Sequence, residues 1–150
     1  MEASRPDSKI PLLVIGYGNT LRSDDGVGPR VVEAVEGLSL PGVQTVIRGL
    51  LTPELAEPIS QARCVVFVDA AVDAPTQVQL RSLSPGASSQ IMAHAADPRT
   101  LLALARDVFA HAPTAWWLTI PAENLEIGEE LSLKAQHGFA QAVEEIRKLA

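Results

Sequence analysis

The chain has a single cysteine, no cluster of lysine or arginine, and no apolar run near the roughly 20 residues a membrane helix needs. Each shortage removes a class of protein. With Cys64 alone, neither an internal disulfide nor a cysteine-built metal cluster can form, and the apolar run Cys64-Val-Val-Phe-Val68 predicts burial of that thiol rather than catalysis by it. A formal net charge of -6 without a basic patch argues against nucleic acid or an anionic membrane surface as the main partner. The opening stretch from Met1 to Lys9 has no apolar signal-peptide core, so a cytoplasmic protein is expected. Internal repeats, low-complexity tracts and linkers are missing too. What is present, 150 residues of which 47% are hydrophobic and 20% charged, suits one domain over 10–150 behind a flexible tail over 1–9.

The most informative stretch is Gly16-Tyr-Gly-Asn-Thr-Leu-Arg-Ser-Asp24-Asp25-Gly-Val-Gly28, a glycine-rich turn from an apolar strand into a helix. Loops of this kind usually receive phosphate on free backbone N–H groups at the positive end of the helix dipole. Two adjacent carboxylates would repel such a ligand, so this loop suits a cation. Other glycine and serine motifs do not fit. Leu21 stands where a dinucleotide fingerprint needs its third glycine, no Gly-Lys-Ser/Thr of a P-loop occurs, and Gly-x-Ser-x-Gly is absent.

Around this loop the chain alternates strands and helices. Leu12–Ile15 reads as a strand covered on both faces, and Val31, Val32, Val35 and Leu38 recur at helical spacing after Pro29, with Gly37 near the stop. Val43–Ile47 predicts a second strand. Thr52-Pro-Glu predicts a capped start to a short helix ending near Pro58, and Cys64–Val68 a third strand that stops at Asp69. Val78–Leu80 reads as a weaker strand, antiparallel at an edge, and Ser84–Ala93 as a loop. Asp97-Pro98 opens a long helix, Ala115–Ile120 forms a last strand, and Leu131–Leu149 a closing amphipathic helix. This order predicts a three-layer α/β/α sandwich around a mostly parallel twisted sheet with an antiparallel edge strand.

In such sheets ligands gather beyond the carboxyl ends of the strands. The first strand runs into the Asp24-Asp25 loop, the third ends at Asp69, and His94 lies on the loop before a helix. Two carboxylates and an imidazole with positions left open make a binding set for a borderline divalent ion such as nickel or zinc. Each residue also has a plain structural role open to it. Asp24 or Asp25 suits a helix cap, Asp69 the opening of a turn, and His94 a solvated loop. Asn19 reads as a turn former, the loop glycines as backbone-permitting positions, and His111 and His137 as surface residues.

Gly18-Asn-Thr-Leu-Arg-Ser-Asp-Asp-Gly-Val-Gly28 resembles the signature of the hydrogenase maturation endopeptidases, which trim the C-terminal extension from the large subunit of nickel-iron hydrogenases. Cys64-Val-Val-Phe-Val-Asp69-Ala-Ala resembles that family's strand ending in an aspartate, and His94-Ala-Ala-Asp-Pro-Arg-Thr-Leu-Leu its histidine before a long helix. The resemblance runs from about Leu12 to Leu149. It implies a three-layer α/β/α fold, metal contacts from Asp25, Asp69 and His94, and Asp24 as helix cap or site organiser. Thr52-Pro-Glu-Leu-Ala-Glu and Ala115-Trp-Trp-Leu-Thr-Ile-Pro look nearest to the branch serving bidirectional, NAD-linked hydrogenases. Two departures, Arg48-Gly49-Leu-Leu in place of a polar stretch and Ala93 where relatives carry serine, bear on substrate choice.

The resemblance implies a monomeric enzyme with no organic cofactor, acting on a nickel-iron hydrogenase large-subunit precursor that brings its own nickel. Asp24, Asp25 and Asp69 are the candidate catalytic residues. Either the ion polarises the scissile carbonyl or lowers the pKa of a bound water, or Asp24 or Asp25 acts as general base. Oxygen and nitrogen ligands without thiolate imply modest affinity of the free enzyme for the ion. Two rival readings stand beside this one: a module that binds nickel or the precursor without cutting, and a metal-dependent hydrolase of small substrates, favoured by a deep and narrow pocket.

Overall fold

A computed structural model describes residues 9–72, 76–87 and 97–150. Five strands make one sheet: β1 (Leu12–Tyr17), β2 (Val43–Arg48), β3 (Cys64–Ala71), β4 (Gln79–Leu83) and β5 (Thr114–Pro121). Their spatial order is β2-β1-β3-β5-β4, with β4 antiparallel to β5 and every other pair parallel. The helices are α1 (Val27–Gly37), α2 (Ala56–Ser60), α3 (Pro98–Phe109) and α4 (Leu133–Leu149). No helix among the described residues is long and apolar enough to cross a membrane.

Side-chain alternation along the central strands builds two cores. Leu13, Ile15, Val65 and Phe67 point to one face, where Leu55, Ile59, Leu101 and Leu102 of the α2 and α3 layer cover them. Leu12, Val14, Val66 and Val68 point to the other, beneath Val31 and Val32 of α1 and Ala142 and Ile146 of α4. Burial on both faces explains why β1 and β3 read as continuous apolar runs instead of alternating ones. The expected three-layer sandwich with an antiparallel edge is the fold observed.

Boundaries differ where long-range pairing decides them. β3 continues through Asp69 to Ala71 because these residues pair with Thr119, Ile120 and Pro121 of β5, so Asp69 lies inside a strand instead of opening a turn. β1 likewise extends to Tyr17, which pairs with Arg48. The edge strand β4 runs three residues past the expected Leu80, because pairing with β5 continues from Gln79 opposite Thr119 to Leu83 opposite Ala115. Residues 88–93 of the expected loop and the residues before Lys9 lie outside the described residues. Thr52 does not cap a helix; its hydroxyl donates to the Glu54 carboxylate, and a 3-10 turn at Pro53–Leu55 leads into α2. Asp97 does cap α3, accepting from the Thr100 amide at 2.8 Å. Cys64, expected to be buried, is only half-buried because it is the first residue of its strand.

The chain passes from β1 to β2 on one side and later to β3 on the other, which makes the crevice between the carboxyl ends of β1 and β3 the topological switch point. Helix α1 starts over that crevice at very short range. A Cβ on Gly28 would lie 2.5 Å from the Val68 carbonyl oxygen and 3.0 Å from that of Tyr17. Both are backbone atoms that no rotamer change can move away. Gly28→Ala is therefore expected to cost about 2–4 kcal/mol, read as a lower midpoint in urea unfolding with an unchanged slope.

Candidate active site

Gly18 starts the turn that carries the two aspartates. Its φ of 144° is closed to other residues, and a Cβ there would meet the Asp25 carbonyl oxygen at 2.0 Å. Asn19 then forms an Asx turn, its Oδ1 accepting from the Leu21 amide at 2.8 Å, as its residue type suggests. Ser23–Gly26 is a 3-10 turn running directly into α1, and no side chain caps either helix. The capping role expected for one member of the Asp24-Asp25 pair is therefore absent.

Asp24 is fully buried and serves a distant loop. Its Oδ2 accepts from the Glu123 amide at 2.9 Å, the Asn124 amide at 3.1 Å and the Ser132 hydroxyl at 2.7 Å, while Oδ1 accepts from the Ser132 amide at 2.8 Å. Burial alone would raise its pKa, but these four donors outweigh it and hold the carboxyl below its ordinary value. A carboxylate so enclosed has neither exposure nor lone pairs to spare for proton transfer with substrate. Asp24, a catalytic candidate by sequence, is placed as the organiser of the 123–132 segment.

Asp25, the next residue, faces outward. Its Oδ2 accepts from the Asn19 amide at 2.8 Å, and Oδ1 has no hydrogen-bond partner among the described residues. The side chain lines an open groove of about 610 Å³ with Leu21, Pro29, Ile47, Arg48 and Leu50. Leu21 and Leu50 are 60% and 65% exposed, so the groove is apolar and shallow, unlike the narrow pocket a small-substrate hydrolase would favour.

Asp69 comes to the same rim from β3. One step beyond the Gly16–Val68 pair, it lies beside Tyr17, whose hydroxyl donates to Asp69 Oδ2 at 3.0 Å. Burial pushes the Asp69 carboxyl up to about 6; the Tyr17 hydroxyl, the Ala70 backbone and the Trp117 indole pull it down, and the charge of Asp25 adds to the rise. The Asp25 influence means the two carboxylates sense one another across the crevice. Burial, then the Asp69 charge and hydrogen bond, hold Tyr17 far above its ordinary pKa, so it remains a protonated donor. Trp117 Nε1 approaches both groups yet satisfies hydrogen-bond geometry with neither, and Arg81 lies 5.8 Å above its ring. Thr119, paired with Asp69 on β5, has a buried hydroxyl without a partner.

His94 lies outside the described residues. Asp97, which opens α3, has a charge that reaches Tyr17. Among the described residues no three His, Cys, Asp or Glu side chains gather closely enough to hold a metal. Sequence reading passed over Tyr17, the last residue of β1, and Trp117, which lies mid-strand in β5 opposite Phe67. It also misplaced His111, expected at the surface but 6% exposed, with Nε2 3.4 Å from the Ala62 carbonyl. His137 is exposed.

Two outcomes follow from these environments. Asp24→Ala strands three amides and a hydroxyl, and is expected to cost about 2–4 kcal/mol in urea unfolding at pH 7. The folded protein keeps the Asp69 proton to about pH 6, whereas the unfolded chain releases it near the ordinary 3.8, so wild-type stability falls between those values. Asp69→Asn lacks that fall. Its stability relative to wild type should therefore improve by about 2 kcal/mol from pH 4 to pH 7, measured by urea midpoints across that range.

No protein-family model matches the chain, and no curated protein does. Solved structures do match. The [NiFe] hydrogenase maturation protease HybD from Thermococcus kodakarensis is 25% identical over 94% of this chain and 99% of its own, with a TM-score of 0.69. The [NiFe] hydrogenase maturation protease HycI from the same organism is 20% identical over 93% and 91%, again at 0.69. The hydrogenase maturating endopeptidase HybD from E. coli is 22% identical over 91% and 90%, at 0.65. The chain resembles the hydrogenase maturation proteases and shares their fold over nearly its whole length.

Proposed function

We propose that the chain is an endopeptidase that removes the C-terminal extension of a nickel-loaded nickel-iron hydrogenase large-subunit precursor. The observation that carries this reading is the pairing of Asp25 and Asp69 at the switch point, delivered by separate segments to one rim beside an open apolar groove. An extended peptide fits such a groove better than a compact small molecule does. The shared fold with structures named as hydrogenase maturation proteases supports a hydrogenase precursor as the substrate.

In this reading nickel is part of the substrate. Asp25 and Asp69 meet it through carboxylate oxygens, and His94 supplies the third contact. The cut itself is a hydrolysis: water attacks the scissile carbonyl carbon, a carboxylate takes its proton, and the proton passes to the departing amine as the C–N bond breaks. With Asp24 enclosed, the base is Asp25 or Asp69. The enzyme acts as a monomer in the cytoplasm and needs no organic cofactor.

Mass spectrometry of the precursor after incubation with the protein tests the assignment. A large subunit shortened at its C-terminus is expected with nickel loaded and not without it, and Asp25→Asn or Asp69→Asn should slow processing at least about 100-fold while remaining folded. Binding without truncation would make the chain a precursor-binding module. Full-rate cleavage by both variants would remove the proposed carboxylate pair.

A further inference from the structure

The Tyr17 hydroxyl is tied to the site through Asp69 and makes no hydrogen bond to Asp25. Tyr17 is the last residue of β1, and the next residue is Gly18, where the chain turns toward Asp25. Its ring packs against the core cluster that includes Ile15 and Phe67, so a rigid strand and a packed interior fix the hydroxyl in space. From there it donates to Asp69 Oδ2 at 3.0 Å. It is the one side chain among the described residues that makes a full hydrogen bond to Asp69, the Trp117 indole coming close without the required geometry.

We propose that Tyr17 is a positioning residue: by occupying Asp69 Oδ2 it turns the carboxylate so that Oδ1 alone is offered to the substrate's metal. The proposal rests on the reading above, in which Asp69 contacts that metal. An aspartate with both oxygens free would swing about its Cβ–Cγ bond and could grip an ion through either or both. With one oxygen held, the group presents a single donor in a single direction, which suits a cargo ion already ligated by its own protein and due to leave with it. Asp25 is held alike, Oδ2 engaged by the Asn19 amide and Oδ1 open, so the two carboxylates share one mode of presentation. Partners that orient a metal-binding carboxylate typically account for 10–100-fold in metal affinity.

Calorimetric titration with Ni2+ alone tests this on the full-length wild type, Tyr17→Phe, Asp69→Asn and the double variant, each first checked by its melting curve. Phenylalanine keeps the packed ring and removes only the hydroxyl. Tyr17→Phe is expected to weaken Ni2+ binding about tenfold, Asp69→Asn to weaken it more, and the double variant to equal Asp69→Asn, since a positioner has no effect once its target is gone. Unchanged affinity in Tyr17→Phe alongside weakened Asp69→Asn would overturn the positioning role and leave Asp69 as a contact. Additive losses in the double variant would also overturn it, because they report a general structural effect. If Asp69→Asn binds Ni2+ as the wild type does, or the wild type binds none, the metal role of Asp69 fails and the proposal with it.

Discussion

Backbone meets backbone where helix α1 begins. A Cβ on Gly28 would come within 2.5 Å of the Val68 carbonyl oxygen, and one on Gly16 within 2.6 Å of the Gly28 carbonyl oxygen. With no side chain between them, the start of the helix is held at a distance set by main-chain atoms, which repack far less readily than side chains. That contact fixes the acidic turn over the crevice between β1 and β3. It also sets Asp25 within electrostatic range of Asp69, on which the whole site depends.

Two adjacent aspartates then acquire opposite environments. Asp24 turns inward and accepts from residues 99 to 108 positions away in sequence, tying the segment before α4 to the start of α1. Asp25 turns outward with a free oxygen on the groove. A 3-10 turn makes this possible, because successive residues in it point about 120° apart. One carboxylate stabilises the platform and its neighbour remains available for chemistry.

Legibility from sequence followed the range of the forces involved. The apolar strands β1 and β3 and the Asp97 cap of α3 were readable because neighbours within four residues determine them. The three layers, the mostly parallel sheet and the antiparallel edge followed from the alternation of elements and the rules for crossovers, whereas the spatial order of the strands was not read. The true end of β3 was not readable, since it is set by pairing with β5 some 50 positions later. The task of Asp24 was hidden for the same reason, its partners lying on a loop with no motif of its own. His111 misled because its burial comes from the Ala110 turn at φ 65°, which swings the chain back toward Ala62, and nothing in the local residue pattern announces that turn. At the site, the residue types of Asp25 and Asp69 were visible in their motif, whereas the Tyr17 contact needed the register between two strands.

The chain has two tryptophans, and β5 sets them back to back. Trp116 belongs to the layer under α1 and α4, Trp117 to the layer that holds Tyr17 and Asp69. Their emission therefore comes from opposite sides of one strand. Trp117 Nε1 lies near the Asp69 carboxyl, whereas Trp116 lies near the Cys64 thiol on the opposite face. One strand thus gives each face of the sheet an indole with a different titratable neighbour.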